Sequence, residues 1–262
     1  QELTRINLAI GDGSLARDPT LREALASAAG KRIHFLGLVS DGGVHSHLDH
    51  LLALLGIAGK SDAAEILVHA ITDGRDCSPT SGRGFLHTLH QAISKTPKAR
   101  LATIIGRYYA MDRDKRWERV QLAHDLFLEG KGSAAESAEA ALAASYAAGV
   151  TDEFVKPIVL PGVSSPVIRD GDVLFFFNFR ADRMRQIVRS LADPSFNSFP
   201  VSRRAKTNVF TLTPYEADFA KLGIRHLFSP MEMKDLLGEV VAARGLKQAR
   251  MAETEKYPHV TY

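Results

Sequence analysis

The chain has 262 residues, 45% hydrophobic and 24% charged, which excludes disordered, collagen-like and coiled-coil organisation and suffices for one large or two small domains. A formal net charge of +3 gives no reason to expect a nucleic-acid groove, yet the 33 basic residues divide into 12 Lys and 21 Arg, the side chain whose planar fork suits phosphate and carboxylate. One cysteine, Cys77, excludes an internal disulfide, and no basic-apolar leader or roughly 18-residue apolar run is read, so the expected compartment is the cytoplasm.

In chain order, residues 21–29 read as a helix ended by Gly30, and 33–40 as a strand. A helix is expected at 48–55, a strand at 66–72, a helix at 85–93, a strand at 101–106 and a helix at 117–128. The alanine-rich stretch 134–148, ended by Gly149, reads as a peripheral helix because alanine favours helix but offers little bulk for a core. Pro157, Pro161, Gly162 and Pro166 punctuate a loop-rich connection to a strand at 173–178. A helix at 184–191, a strand at 209–213, an amphipathic helix at 230–245, a polar segment at 247–256 and a short strand at 259–262 complete the reading.

The strand segments, such as IHFLGLVS and VLFFFN, are almost continuously apolar, as strands covered on both faces must be. Their alternation with helices predicts an α/β fold, a mostly parallel sheet with helices on both faces. Ligands of such sheets bind outside the carboxyl ends of the strands. Those ends carry DGGVHSHLDH (41–50), DGRD (73–76), GRYYAMDRD (106–114) and NFRADR (178–183).

Arg75, Arg107, Arg113, Arg180 and Arg183 are therefore candidates for one crevice, where five guanidinium groups repel unless an anion is bound. Arg180 and Arg183, three apart at an expected helix start, are read as sharing one face and one anion. The alternative is local pairing: Arg75 with Asp73, Arg113 with Asp112 or Asp114, Arg183 with Asp182. Asp76 is a candidate hydroxyl ligand and general base, although surrounding positive charge favours its carboxylate form; an ordinary turn or cap role competes. Gly42, Gly43 and Gly74 are expected to permit tight backbone.

His45 is read as a hydrogen-bond donor to the anion, with His47 and His50 as helix-start neighbours. A metal hydrolase built on His45 and His47 is a weaker alternative, since His69 falls inside a strand and His87, His90 and His124 within helices. A non-catalytic anion-binding module is another. No GxSxG or GxxxxGK[ST] motif occurs, and Cys77 has no evident histidine partner.

Taken together, LVSDGGVHSHLDH, ITDGRD, IGRYYAMDRDKRWER, FFFNFRADRMRQI and AETEKYPHVTY resemble the cofactor-independent (2,3-bisphosphoglycerate-independent) phosphoglycerate mutases over nearly the whole chain. The resemblance implies a two-domain phosphatase-superfamily enzyme of glycolysis. One domain carries two Mn2+ ions and a serine that becomes phosphorylated; the other, inserted in it, holds the glycerate while phosphate passes between 3-phosphoglycerate and 2-phosphoglycerate. By motif, it assigns the substrate to His45, Arg75, Asp76, Arg107, Arg113, Arg180, Arg183 and Lys256, with Asp76 as the acid/base.

It further implies that residues 1–10 are a hinge strand from the phosphatase-like domain, 11–229 the phosphotransferase domain, and 230–262 a hinge and the start of the returning domain. The serine and most metal ligands are expected outside this sequence, and the expected form is a monomer with neither nucleic acid nor membrane as partner. The isolated chain supplied with manganese and 3-phosphoglycerate is accordingly expected to show no turnover; ordinary turnover in a coupled mutase assay would refute this.

Overall fold

The computed structural model describes residues 2–163, 167–230 and 235–254. Two compact units emerge, residues 1–229 and 230–262. Within the first, the chain builds strands β1 (Arg32–Leu38), β2 (Glu65–Thr72), β3 (Ala99–Gly106), β4 (Ser133–Ala134), β5 (Ile158–Val159), β6 (Val173–Phe176), β7 (Asn208–Thr211) and β8 (Arg225–His226). They form one sheet in the order β4-β5-β3-β2-β1-β6-β7-β8. All neighbours are parallel except β3 and β5.

Side chains of successive strand residues point to opposite faces, so the apolar runs supply two cores at once. On one face Ile33, Phe35, Ile66, Val68 and Phe175 are buried beneath α1 (Glu2–Gly11), α2 (Pro19–Ser27), α3 (Leu48–Ala58), α4 (Gly82–Ser94) and α7 (Ala138–Ala147). On the other, Leu36, Leu38, Ile71, Leu174 and Phe176 meet α5 (Arg107–Ala110), α6 (Trp117–Glu129) and α8 (Arg185–Ala192). The doubly covered parallel sheet is the architecture expected. In the second unit, α9 (Leu237–Ala243) is the described helix. Among the described residues no helix is long and apolar enough to cross a membrane.

Two expectations are corrected. Residues 2–11 form a helix, not a hinge strand: Leu3, Ile6 and Ile10 recur at helical spacing, Ile6 is fully buried, and Asn7 Oδ1 accepts a hydrogen bond from His50 Nε2 at 2.8 Å. The alanine-rich helix begins at Ala138, because the Ser137 side chain accepts from the Ala140 N–H at 3.1 Å and caps it, while Ser133 and Ala134 pair with β5. The two-residue strands β4, β5 and β8 are too short to leave a periodic signal. The expected strand at 259–262 lies outside the described residues.

A polar string crosses the second face. The Asp172 carboxylate accepts from His34 Nε2 at 3.0 Å, so His34 Nδ1 accepts from His69 Nε2 at 2.9 Å and His69 Nδ1 accepts from Thr103 Oγ1 at 2.8 Å. Arg32 closes the string with two hydrogen bonds to Asp172, at 3.2 and 2.5 Å. Every member of this string has a partner, which is what makes polar groups tolerable between strands.

Burial pushes His34 and His69 below the ordinary histidine value, and takes His50 and His124 down to about 4. The unfolded chain takes up protons as pH falls through about 6.5, whereas the folded chain does not until about 4, so stability declines across that window. The urea midpoint is expected to fall steadily between pH 7 and pH 4.5; a midpoint flat down to pH 5 would contradict the assignment of these histidines as neutral.

Candidate active site

From β1 the chain adds β2 and β3 on one side and later β6 and β7 on the other, so the order of strand addition reverses between the parallel neighbours β1 and β6. The carboxyl ends of strands flanking such a reversal diverge and leave a crevice. The gap is pinned by side chains as well as backbone. Asn178 Oδ1 accepts from Leu38 N–H at 2.9 Å, and the His45 carbonyl accepts from the N–H groups of Phe179 and Arg180 at 2.8 and 3.2 Å. Tyr215 donates to the Asn178 carbonyl at 2.5 Å.

Asp73, at the end of β2, is 1% exposed and organises the DGRD loop. Its Oδ1 accepts from the N–H groups of Arg75 (3.2 Å) and Asp76 (3.0 Å) and from Arg107 Nη1 (2.6 Å); Oδ2 accepts from Ser40 Oγ (2.6 Å). Burial works against its charge, but the hydrogen bonds from Asp76, Ser40 and Arg107 prevail and hold its carboxyl below the usual value. Arg107 Nη1 also reaches Asp76 Oδ2 at 2.5 Å, so one buried guanidinium joins the ends of β2 and β3. Burial disfavours its charge, and its two carboxylate partners reverse that effect.

Gly74 has φ +66, and a Cβ there would lie 2.8 Å from the Glu153 nitrogen and 2.9 Å from Asp152 Cβ, so the loop tolerates no side chain. Gly42 is restricted by the same region, its Cβ falling 2.9 Å from the Asp76 carbonyl oxygen. The segment pressed against Gly74 is a short 3-10 turn at Asp152–Phe154. Asp152 anchors it: Thr72 Oγ1 donates to its carbonyl at 2.7 Å, its Oδ2 accepts from Gly82 N–H at 2.7 Å, and its Oδ1 accepts from Tyr146. This brings Glu153 to Arg75 at 3.3 Å.

Arg75, Arg107, Arg113 and Arg183 line one open cleft of about 500 Å³, with Tyr108, Met111, Glu153 and Phe154 among its walls. Phe154 packs on Tyr108, with ring centroids 5.0 Å apart, and the Arg119 guanidinium covers the Tyr108 ring at 3.8 Å. The local pairings weighed above do not form. Arg75 pairs with Glu153, and Arg113 Nη1 with Asp182 Oδ2 at 2.8 Å, 69 positions along the chain. Arg183 donates to the Met111 carbonyl at 3.1 Å and has no ion pair among the described residues. Its pKa is lowered by burial first, then by Arg113, Arg107 and Arg75.

Arg180 and Arg183 do not share a helix face, since α8 begins only at Arg185 and both precede it. Arg180 lies over Asp182, with Nε 3.2 Å from Oδ1, while Arg183 alone reaches the cleft wall. His45 is 4% exposed between Asp76 (3.8 Å) and Asp182 (3.6 Å). Burial, with Arg107 and Arg180, takes its pKa down to about 4, so the imidazole is neutral at pH 7. His47 accepts from Asp49 N–H at 3.2 Å as the α3 cap, not as a second metal ligand beside His45. Among the described residues, no group of three or more His, Cys, Asp or Glu is placed to hold a metal ion. Lys256 lies outside the described residues.

Asp73, Glu153, Phe154, Tyr108 and Asp182 are the site residues that strand-end reading passed over. Asp73 and Asp182 were weighed only as local partners, although each sits inside a named motif. Glu153 and Phe154 gave no signal, because the TDEF turn follows no long strand.

Residues 6–217 match the family described as BPG-independent PGAM N-terminus (iPGM_N). The chain belongs to this family. It is 46% identical over 263 residues to the 2,3-bisphosphoglycerate-independent phosphoglycerate mutase of Laribacter hongkongensis, covering 100% of this chain and 51% of that protein. The enzyme of the same name from Myxococcus xanthus is 47% identical, with 100% and 52% covered. A solved structure of Leishmania mexicana phosphoglycerate mutase, determined at low cobalt concentration, superposes with TM-score 0.85 at 29% identity, covering 100% of this chain and 50% of that one. The chain thus spans about half the length of the curated relatives it matches.

Removing the Asp73 charge leaves Arg107 buried with one carboxylate instead of two. Asp73→Asn is expected to cost roughly 3–5 kcal/mol, the usual penalty for breaking a buried ion pair, in urea unfolding. A change below about 1 kcal/mol would show that Asp76 alone suffices.

Proposed function

We propose that this chain is the glycerate-holding part of an enzyme that interconverts 3-phosphoglycerate and 2-phosphoglycerate by phosphoryl transfer through a serine outside this sequence. The observation that carries the reading is Arg183: half-buried, without an ion pair among the described residues, and repelled by Arg75, Arg107 and Arg113 across one cleft. Such a cluster is completed by a ligand with more than one negative charge, and phosphoglycerate brings both a carboxylate and a phosphate.

In this reading Arg75, Arg113 and Arg183 hold the acidic groups. Arg107 stays with its two carboxylates and fixes Asp76, whose Oδ2 is occupied at 2.5 Å while Oδ1 is left to a ligand hydroxyl. Asp76 gives a proton to the oxygen that the phosphate leaves and takes one from the hydroxyl that the phosphate rejoins. The guanidinium groups stabilise charge on the transferring phosphoryl group, and their fixed positions supply much of such catalysis. His45, Arg180 and Lys256 complete the proposed substrate set.

The partner is the remaining half of a monomeric, cytoplasmic two-domain protein, with residues 1–10 and 230–262 at the junction. The two Mn2+ ions implied by the resemblance do not fit the described residues, among which no three or more His, Cys, Asp or Glu are grouped to hold a metal ion; in this reading they belong to that other half.

The full-length protein is expected to convert 3-phosphoglycerate to 2-phosphoglycerate. The chain alone should gain roughly 2.7 kcal/mol of stability at 3-phosphoglycerate about 100 times Kd. Arg183→Ala should abolish that gain while leaving the unliganded Tm unchanged or higher, because it removes an uncompensated charge. An undiminished shift in the variant, or turnover by the full-length variant at the parent KM, would refute the assignment of Arg183.

A further inference from the structure

Two buried polar atoms face each other beside the cleft without a hydrogen bond. His45 Nδ1 and Asp182 Oδ1 are both shielded from solvent, and neither has a hydrogen-bond partner among the described residues. They lie 3.6 Å apart, too far for a bond but closer than His45 Nε2 is to Asp76, at 3.8 Å. Arg180 Nε lies 3.2 Å from the same Asp182 oxygen without hydrogen-bond alignment. The other Asp182 oxygen is taken by Arg113 at 2.8 Å, and Asp76 Oδ2 by Arg107 at 2.5 Å. The charged groups facing the imidazole are therefore Arg107, Arg180, Asp76 and Asp182.

The two carboxylates beside the ring differ in what they already hold: Asp182 Oδ1, nearer to Nδ1, accepts no hydrogen bond among the described residues, whereas Asp76 Oδ2, nearer to Nε2, already accepts from Arg107. A proton on Nδ1 therefore meets the more available acceptor. Such a contact tightens when a ligand closes the site.

We propose that Asp182 is a positioning residue that holds His45 with its proton on Nδ1, so that Nε2 presents a lone pair to a ligand hydroxyl beside Asp76. The identity of that hydroxyl, on a phosphoglycerate, rests on the function proposed above; the tautomer does not. The role differs from anion donation: His45 accepts a hydrogen bond from the hydroxyl, while the arginines bind the charges. Asp182 thereby joins two tasks, since the carboxylate that orients the imidazole also holds Arg113 and Arg180 in place.

Nitrogen-15 NMR of the histidine-labelled chain at pH 7, with His45 assigned by its loss in His45→Gln, reads the tautomer directly. The expected result is a protonated Nδ1 and an unprotonated Nε2, kept or sharpened on adding 3-phosphoglycerate, and loss of the Nδ1–H signal in favour of Nε2–H in Asp182→Ala. A parent His45 protonated on Nε2 overturns the proposal whether or not the alanine variant folds, and so does an unchanged tautomer in a folded variant. A protonated Nδ1 with no response to 3-phosphoglycerate supports the Asp182 assignment and counts against the substrate instead. Mutase turnover by the full-length protein with Nε2 protonated defeats this inference alone.

Discussion

The Arg107 guanidinium, 3% exposed and shared between Asp73 and Asp76, makes the ends of β2 and β3 one rigid piece. Two carboxylates around one buried cation balance its desolvation, and each also orders its own surroundings. Asp73 binds the DGRD backbone and Ser40 of the neighbouring strand end; Asp76 is thereby held facing His45. Remove this ion cluster and the cleft loses its floor, because Arg75 and Asp76 sit on the loop it fixes.

Around that compensated centre, positive charge is left over by degrees. Arg113 and Arg180 share Asp182, Arg75 has Glu153, and Arg183 has a backbone carbonyl. Like charges that share one cleft repel, the more strongly the less water screens them. In the function proposed above, a bound anion relieves that repulsion. In that same proposed function this gradation divides the labour: fully paired cations position, and the least paired one binds.

The sheet explains why these groups meet. Crossovers on the two sides of β1 and β6 open the crevice, and parallel strands bring all four motif-bearing loops to the same edge. The tight turn at Gly74 then lets the Asp152–Phe154 segment press against the DGRD loop and add Glu153 to the cleft. On the sheet's second face, the Asp172–His34–His69–Thr103 string ties β1, β2 and β3 to the residue preceding β6 in a layer otherwise apolar.

By itself, the amino-acid order determined the five long strands, most helices and the clustering of Arg, Asp and His at strand ends, because apolar runs, helical spacing and turn residues are local signals. It placed Phe35 and Phe175 in the core and Arg107 at a site without reference to any partner. The pairing of charges was decided only by tertiary structure. Arg113 finds Asp182 rather than adjacent Asp112 or Asp114, Arg183 meets a backbone carbonyl and no carboxylate among the described residues, and Glu153 enters from a segment with no motif. Residues 2–11 became a helix packed on α3, although the resemblance implied a hinge strand. Such choices depend on burial and on distances between residues remote in sequence, and electrostatic partners selected through space leave no periodic trace along the chain.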